Sequence, residues 1–201
     1  MTAREFSFLR RPKWLAGHVI ALAAIIVFVS MGFWQLRRLD ERQDFNTILT
    51  SRAVAAATSL DQAVEDYGPD PEGLELRRVR VTGRYAPTEE LILLAKSFNG
   101  LSGHHVLTPL YLEDGTAIVV DRGWVPIDLD EPGRSEFAPP AGDVTITGVL
   151  RKTQVRGSFG PVDAPDGVLQ QTARVDIARI DQQTRGALQP LFLQLLDQTP
   201  E

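Results

Sequence analysis

The chain contains no cysteine. That excludes disulfides, cysteine-ligated zinc, thiol redox chemistry and a thiolate copper site, whichever compartment holds it. A basic excess is also missing. Against 26 Asp and Glu there are 21 Lys and Arg, and the formal charge of -5 gives no reason to expect nucleic acid as a partner. No internal repeat is present. No G-x-S-x-G elbow, P-loop or G-x-G-x-x-G stretch occurs. Histidine is scarce, with three in all. Two of them, His104 and His105, are adjacent in a stretch of strand character, so their side chains point to opposite faces. They cannot grip one metal ion without a kink; one surface and one partly buried histidine is expected. The paired carboxylates Glu89–Glu90 and Asp128/Asp130 fall in turn-like, solvated positions, and no nucleophile–base pair is recognisable.

One segment lacks charge altogether. From Trp14 to Leu36, "WLAGHVIALAAIIVFVSMGFWQL", there is no Asp, Glu, Lys or Arg. As a helix this run spans roughly 34 Å, enough for a hydrocarbon core of about 30 Å. A buried core helix of that length would need a polar face, and this run has none. A cleaved signal peptide would be shorter and would end in small residues, whereas this run ends in Phe33, Trp34 and Leu36. The expectation is an uncleaved anchor bracketed by Trp14 and Trp34. Orientation is nearly balanced: Arg4, Arg10, Arg11 and Lys13 precede the span, and Arg37, Arg38, Arg42 and Arg52 lie after it. The lean toward an inside N-terminus is faint.

Gly17, Ala21 and Ala24 form one stripe, either a helix-packing face or the ordinary small residues of a span. His18 is the only ionisable group in the run, suited to an interfacial hydrogen bond or to a haem or proton role.

Beyond Leu36 the helix continues, with Phe45, Ile48 and Leu49 at helical spacing. Ser59 and Gln62 have the spacing of a capping box, which starts a second short helix, and "DYGPDPEG" breaks it. "LRRVRVTGRY", "EELILLAKSF", "HHVLTPLYL", "TAIVVDRGWV" and "DVTITGVL" read as strands, the third and fourth joined by the turn Asp114-Gly115. "RVDIARIDQQTRGAL" reads as a helix capped by Asp176, and "LFLQLL" as a last strand. The fold class is α+β: an N-terminal transmembrane helix, then an antiparallel sheet or partly closed barrel with two or three helices. Residues 1–13 form a tail, 14–36 the span and 37–201 the domain. Two long loops, 126–142 and 152–167, are either functional surfaces or mobile segments. Within the second, "RGSFGP" suits an anion site or a plain turn.

The remaining candidate is "VVDRGWVP", Val119 to Pro126. Asp121 and Arg122 bring opposite charges, Gly123 permits φ > 0, and Trp124 presents a large amphipathic ring. Arg and Trp dominate binding hot spots. The alternative is a strand-end bulge whose Trp closes the core.

"GHHVLTPLYLEDGTAI" followed by "VVDRGWVP" resembles the central signature of the Surfeit locus protein 1 family. "GFWQLRRLDER" is similar to that family's membrane exit, with Gly32, Trp34, Gln35 and Arg38 in matching places, and "VRVTGRY" and "VTITGVLR" resemble its other strands. The cysteine-free style with "LDERQDFN" is similar to actinobacterial members. The resemblance implies an assembly factor or accessory subunit of the haem a-containing cytochrome c oxidase. It implies a bacterial plasma membrane or respiratory supercomplex setting, a cytoplasmic N-terminus and an extracytoplasmic domain. It further implies partners among oxidase subunits or other assembly factors, a second membrane helix after "LFLQLLDQTPE", and haem a as a candidate cofactor, for which His18 is the weak ligand on offer. Three readings are open. One is an interaction protein with Arg122, Gly123, Trp124, Gly32, Trp34, Gln35 and Arg38 at or beneath its contacts. The second is a haem a carrier, and the third a tethered enzyme relying on Asp121 or His105.

Overall fold

The computed structural model describes residues 12–158 and 160–200, leaving out the side chains of residues 12, 13, 44, 45, 48–50, 53, 54 and 200. The tail with Arg4, Arg10 and Arg11, the Lys13 side chain, Phe159 of "RGSFGP", and the side chains of Phe45, Ile48 and Leu49 lie outside the described residues. Two compact units divide the chain between Ser51 and Arg52.

The first unit is dominated by one helix, α1 (Pro12–Val54), which runs through the charged stretch after Leu36 without a break. Its Trp14–Gln43 portion is long and apolar enough to cross a membrane by length and composition. Side chains such as Ile20 and Phe28 are about 70% exposed there (69% and 71%), so no protein core covers them among the described residues. The stripe of Gly17, Ala21 and Ala24 leaves open space beside Gly17, as does Gly32 further along.

The second unit is a mixed sheet. Its strands are β1 (Thr58–Ser59), β2 (Arg78–Tyr85), β3 (Leu91–Phe98), β4 (Leu101–Leu112), β5 (Ala117–Pro126), β6 (Asp143–Lys152), β7 (Gln171–Thr172) and β8 (Leu188–Pro200). The order is β1-β2-β6-β8-β5-β4-β3-β7, and β2 also pairs with β4. That extra pairing closes β2, β6, β8, β5 and β4 into a ring, a partly closed barrel with β3 and β7 as a flap. Pairings are antiparallel except β1–β2, β3–β7 and β5–β8. The parallel β5–β8 pair is the one the strand pattern alone cannot give, because a final strand can enter a closing ring in either direction.

Alternation builds the ring. In β2, Val79, Val81, Gly83 and Tyr85 are buried while Arg80 and Arg84 are exposed. With Leu110, Ile118, Val120, Ile146, Leu150 and Leu193 the apolar side chains make the interior cluster. Closure depends on Gly83, which faces both Val144 of β6 and Leu112 of β4. A Cβ there would stand 2.3 Å from the Tyr111 carbonyl oxygen, so only glycine lets the two backbones meet. A second cluster on the outer face joins Leu91, Leu93, Leu107, Val119 and Phe192 to Val175, Ile177 and Ile180.

Helices α2 (Leu60–Tyr67) and α3 (Pro71–Leu74) precede the barrel. Ser59 caps α2 as its spacing suggests, its hydroxyl accepting from Gln62 N at 3.1 Å. Asp176 caps α4 (Ile177–Asp181) by accepting from Arg179 N. The predicted helix is cut short there. A Cβ on Gly186 would lie 2.8 Å from the Gly115 carbonyl, and the chain already joins Ala117 of β5 at Leu188. Both long loops are pinned. Leu129 and Phe137 pack on Ile92, Val106 and Val125. In the second loop, Asp163 accepts from Ala173 N at 2.8 Å and pairs with Arg174 at 3.0 Å.

Candidate functional site

The "DRGW" stretch forms a bulge in β5. His105 faces Trp124 and Leu107 faces Asp121, so two residues, Arg122 and Gly123, oppose Val106 alone. Gly123 takes φ 110°, a backbone conformation rare for a residue with a Cβ. The buried Asp121 holds the bulge from below, its Oδ1 accepting from Gly123 N at 3.1 Å. Both of its oxygens lie 2.9 Å from His105 Nδ1.

The bulge turns Arg122 inward. Its Nη1 donates to Glu90 Oε2 at 3.2 Å, in a pair whose side chains are only 9% and 1% exposed. Glu90 also accepts from Thr108 Oγ1 at 2.9 Å and from Gly133 N, in the first long loop, at 2.8 Å. The guanidinium sits 5.3 Å from the ring centroid of Tyr85. Burial pushes the Tyr85 hydroxyl up to about 12, partly opposed by the Arg122 charge. Glu90 is therefore not solvated: a carboxylate directly before the buried Leu91, Ile92 and Leu93 can survive only with such donors. Nor is Glu89, which accepts from Tyr111 Oη at 2.7 Å and pairs with Arg185. Burial, and then the Glu89 hydrogen bond, raise the Tyr111 hydroxyl above its ordinary value. Asp128 and Asp130 are exposed as expected.

Past the bulge, Trp124 comes out. It is half-buried, seated on Gly103, where a Cβ would stand 2.4 Å from the indole nitrogen. The indole N–H points to the Lys96 carbonyl at 3.4 Å, and the Phe98 ring lies 5.9 Å away. Trp124 lies outside the interior cluster. The histidines also depart from expectation. His104 is buried at 8% exposure and His105 is 23% exposed at the side chain, so neither is a plain surface residue. Among the described residues the side-chain hydrogen bonds of His105 go to Asp121 alone, and no hydroxyl joins them.

The α1 candidates form their own set. Trp34 and Arg38 make a cation–π contact at 5.5 Å, one turn apart. Gly32, Gln35 and Arg38 line the same side of the helix. The ring of His18 lies 6.4 Å from that of Trp14.

Glu90, Thr108, Gly103 and Phe98 are the site residues that sequence reasoning missed. The one signal in the sequence was Glu90 directly before "LILL", an acid at the mouth of a run buried on both faces.

The sequence model described as the SURF1 family matches residues 22–201. A SURF1-like protein of Caenorhabditis elegans is 29% identical over 174 residues, covering 77% of this chain and 53% of its own. A SURF1-like protein of Mycobacterium bovis, described as uncharacterized, is 28% identical over 206 residues, covering 98% of this chain and 72% of its own. Surfeit locus protein 1 of Mus musculus is 28% identical over 151 residues, covering 68% and 48%. The chain spans about half the length of the first curated relatives it matches, 53% and 55%.

Proposed function

Because the chain belongs to the SURF1 family, we propose that it is a membrane-anchored assembly factor or accessory subunit of the haem a-containing cytochrome c oxidase, acting by protein–protein contact. The aqueous boundary falls at Trp34–Leu36, with the N-terminus cytoplasmic and the sheet domain extracytoplasmic, in the bacterial plasma membrane. The small-residue stripe Gly17, Ala21 and Ala24 packs against partner helices. Gly32, Trp34, Gln35 and Arg38 meet partners at the membrane exit.

One observation carries the reading: the bulge holds a partly buried Trp124 on a backbone fixed by Asp121 and Gly123, next to a buried Arg122–Glu90 pair. A preorganised aromatic over a rigid base is the anatomy of a binding hot spot. Trp124 is the contact, and Arg122 and Gly123 hold it from beneath. Affinity capture of the tagged full chain from membranes should recover oxidase subunits. A deletion strain with normal haem a oxidase content and activity would overturn the reading.

Haem a fits the described residues poorly. His18 offers one imidazole on a helix face with exposed neighbours, and among the described residues Trp14 is its only aromatic contact. A haem needs apolar walls on both faces as well as a ligand.

A further inference from the structure

We propose that the tip of the β3–β4 hairpin, led by Phe98 and Leu101, inserts into the lipid–water interface and forms a second, shallow membrane contact of the sheet domain, beside Trp124 and leaving that residue's protein contact free. The inference rests on the reading of α1 as a membrane anchor.

The hairpin turns on two residues, Asn99 and Gly100, with φ 49° and 80°. Both values are positive, as a tight two-residue turn requires, so the tip is stiff. Phe98 and Leu101 flank the turn as a cross-strand pair and share one face, on which Phe98 also approaches Trp124. Phe98 is 57% exposed, Leu101 62%, and Ile127, just past the end of β5, 59%. Four large apolar residues thus gather at one end of the sheet, with Trp124 half-buried among them. Patches of this kind on a folded domain mark interaction sites.

The composition selects lipid as the occupant. From Leu94 to Gly103, "LAKSFNGLSG", the sole charge is Lys96, and there is no carboxylate. A lone lysine beside aromatic rings matches the chemistry of a bilayer interface: the rings sit at headgroup depth and the ammonium meets phosphate. The exposed Asp128 comes directly after Ile127 and limits entry to a shallow depth, of the order of 5–10 Å for interfacial elements. The covalent link to α1 keeps the domain at a lipid surface whatever their mutual orientation. A protein surface of the same apolarity would also cover the tip, and the experiment separates the two.

The absence of cysteine makes the test clean. The full chain carrying Leu101→Cys, labelled with an environment-sensitive fluorophore, is placed in nanodiscs free of other proteins. Phe98→Cys serves as a second tip position. Glu113→Cys lies just past the far end of β4, about 40 Å from Leu101 along the strand, and is the control. Blue-shifted emission at both tip positions, quenched by lipids with a nitroxide near the headgroup, is expected, with neither effect at Glu113. Tip labels that stay water-exposed and unquenched while the chain remains bound to lipid overturn the inference and leave the anchor reading intact. Labels that become buried only when oxidase-containing membranes are supplied overturn it in favour of a protein contact. A chain that fails to float with vesicles overturns both.

Discussion

Replacing Arg122 by Ala strips the Glu90 carboxylate of its counter-charge while leaving it buried. Glu90 is 1% exposed at the side chain and keeps two donors, Thr108 Oγ1 and Gly133 N. Breaking a buried pair by removing one partner costs about 3–5 kcal/mol, and the two surviving donors place this case near 3 kcal/mol. For a unit of this size each kcal/mol lowers Tm by roughly 2–4 °C, so a fall of about 6–12 °C is expected. The assay is thermal unfolding of the purified full chain followed by near-UV circular dichroism, because α1 would dominate the far-UV signal. The double variant Glu90→Leu, Arg122→Leu removes both charges and should lose clearly less than the two single changes added together. A shift under about 2 °C for Arg122→Ala would refute the reasoning, since it would mean that Arg122 does not neutralise a buried carboxylate.

Three other outcomes are expected. Gly83→Ala puts a Cβ 2.3 Å from the Tyr111 carbonyl at the barrel seam, and should cost several kcal/mol or abolish folding, read by the same melts. The Tyr85 hydroxyl, pushed up to about 12 against an ordinary 10, makes the folded state hold its proton where the unfolded chain has lost it. Stability should therefore be intact below about pH 10 and fall by roughly 2–3 kcal/mol as pH rises to 12, and Tyr85→Phe should flatten that part of the profile in denaturant titrations. Gly103→Ala should unseat Trp124 and shift its emission to the red in a Trp14→Phe, Trp34→Phe background; unchanged emission would show that the indole does not rest there.

Local chemistry made much of the fold legible. The Ser59 and Asp176 caps, the Asp114-Gly115 turn and the alternation of β2 depend on residues within a few positions of one another. In that turn Asp114 accepts from Thr116 N at 2.8 Å. The closure of the ring, the parallel entry of β8 and the shortening of α4 arise between segments far apart in the chain. Nothing within either segment specifies them. The site divides the same way. "DRGW" suggested a bulge, because Gly permits a positive φ, but left open whether Trp124 served a contact or closed the core. Whether Arg122 faces out or in depends on Glu90, 32 residues earlier, and on Gly133 in a loop that reads as unstructured. The same long-range pairing joins His105 to Asp121 and makes the solvated reading of Glu89 and Glu90 fail.

Trp124, held on its bulge, is proposed as the residue that the oxidase machinery grips. A deletion strain complemented with Trp124→Ala, at matched protein level and matched Tm, tests this through the haem a band of its membranes. Oxidase content should stay near that of the uncomplemented strain, while the unaltered chain restores it. Full restoration by Trp124→Ala would contradict the account.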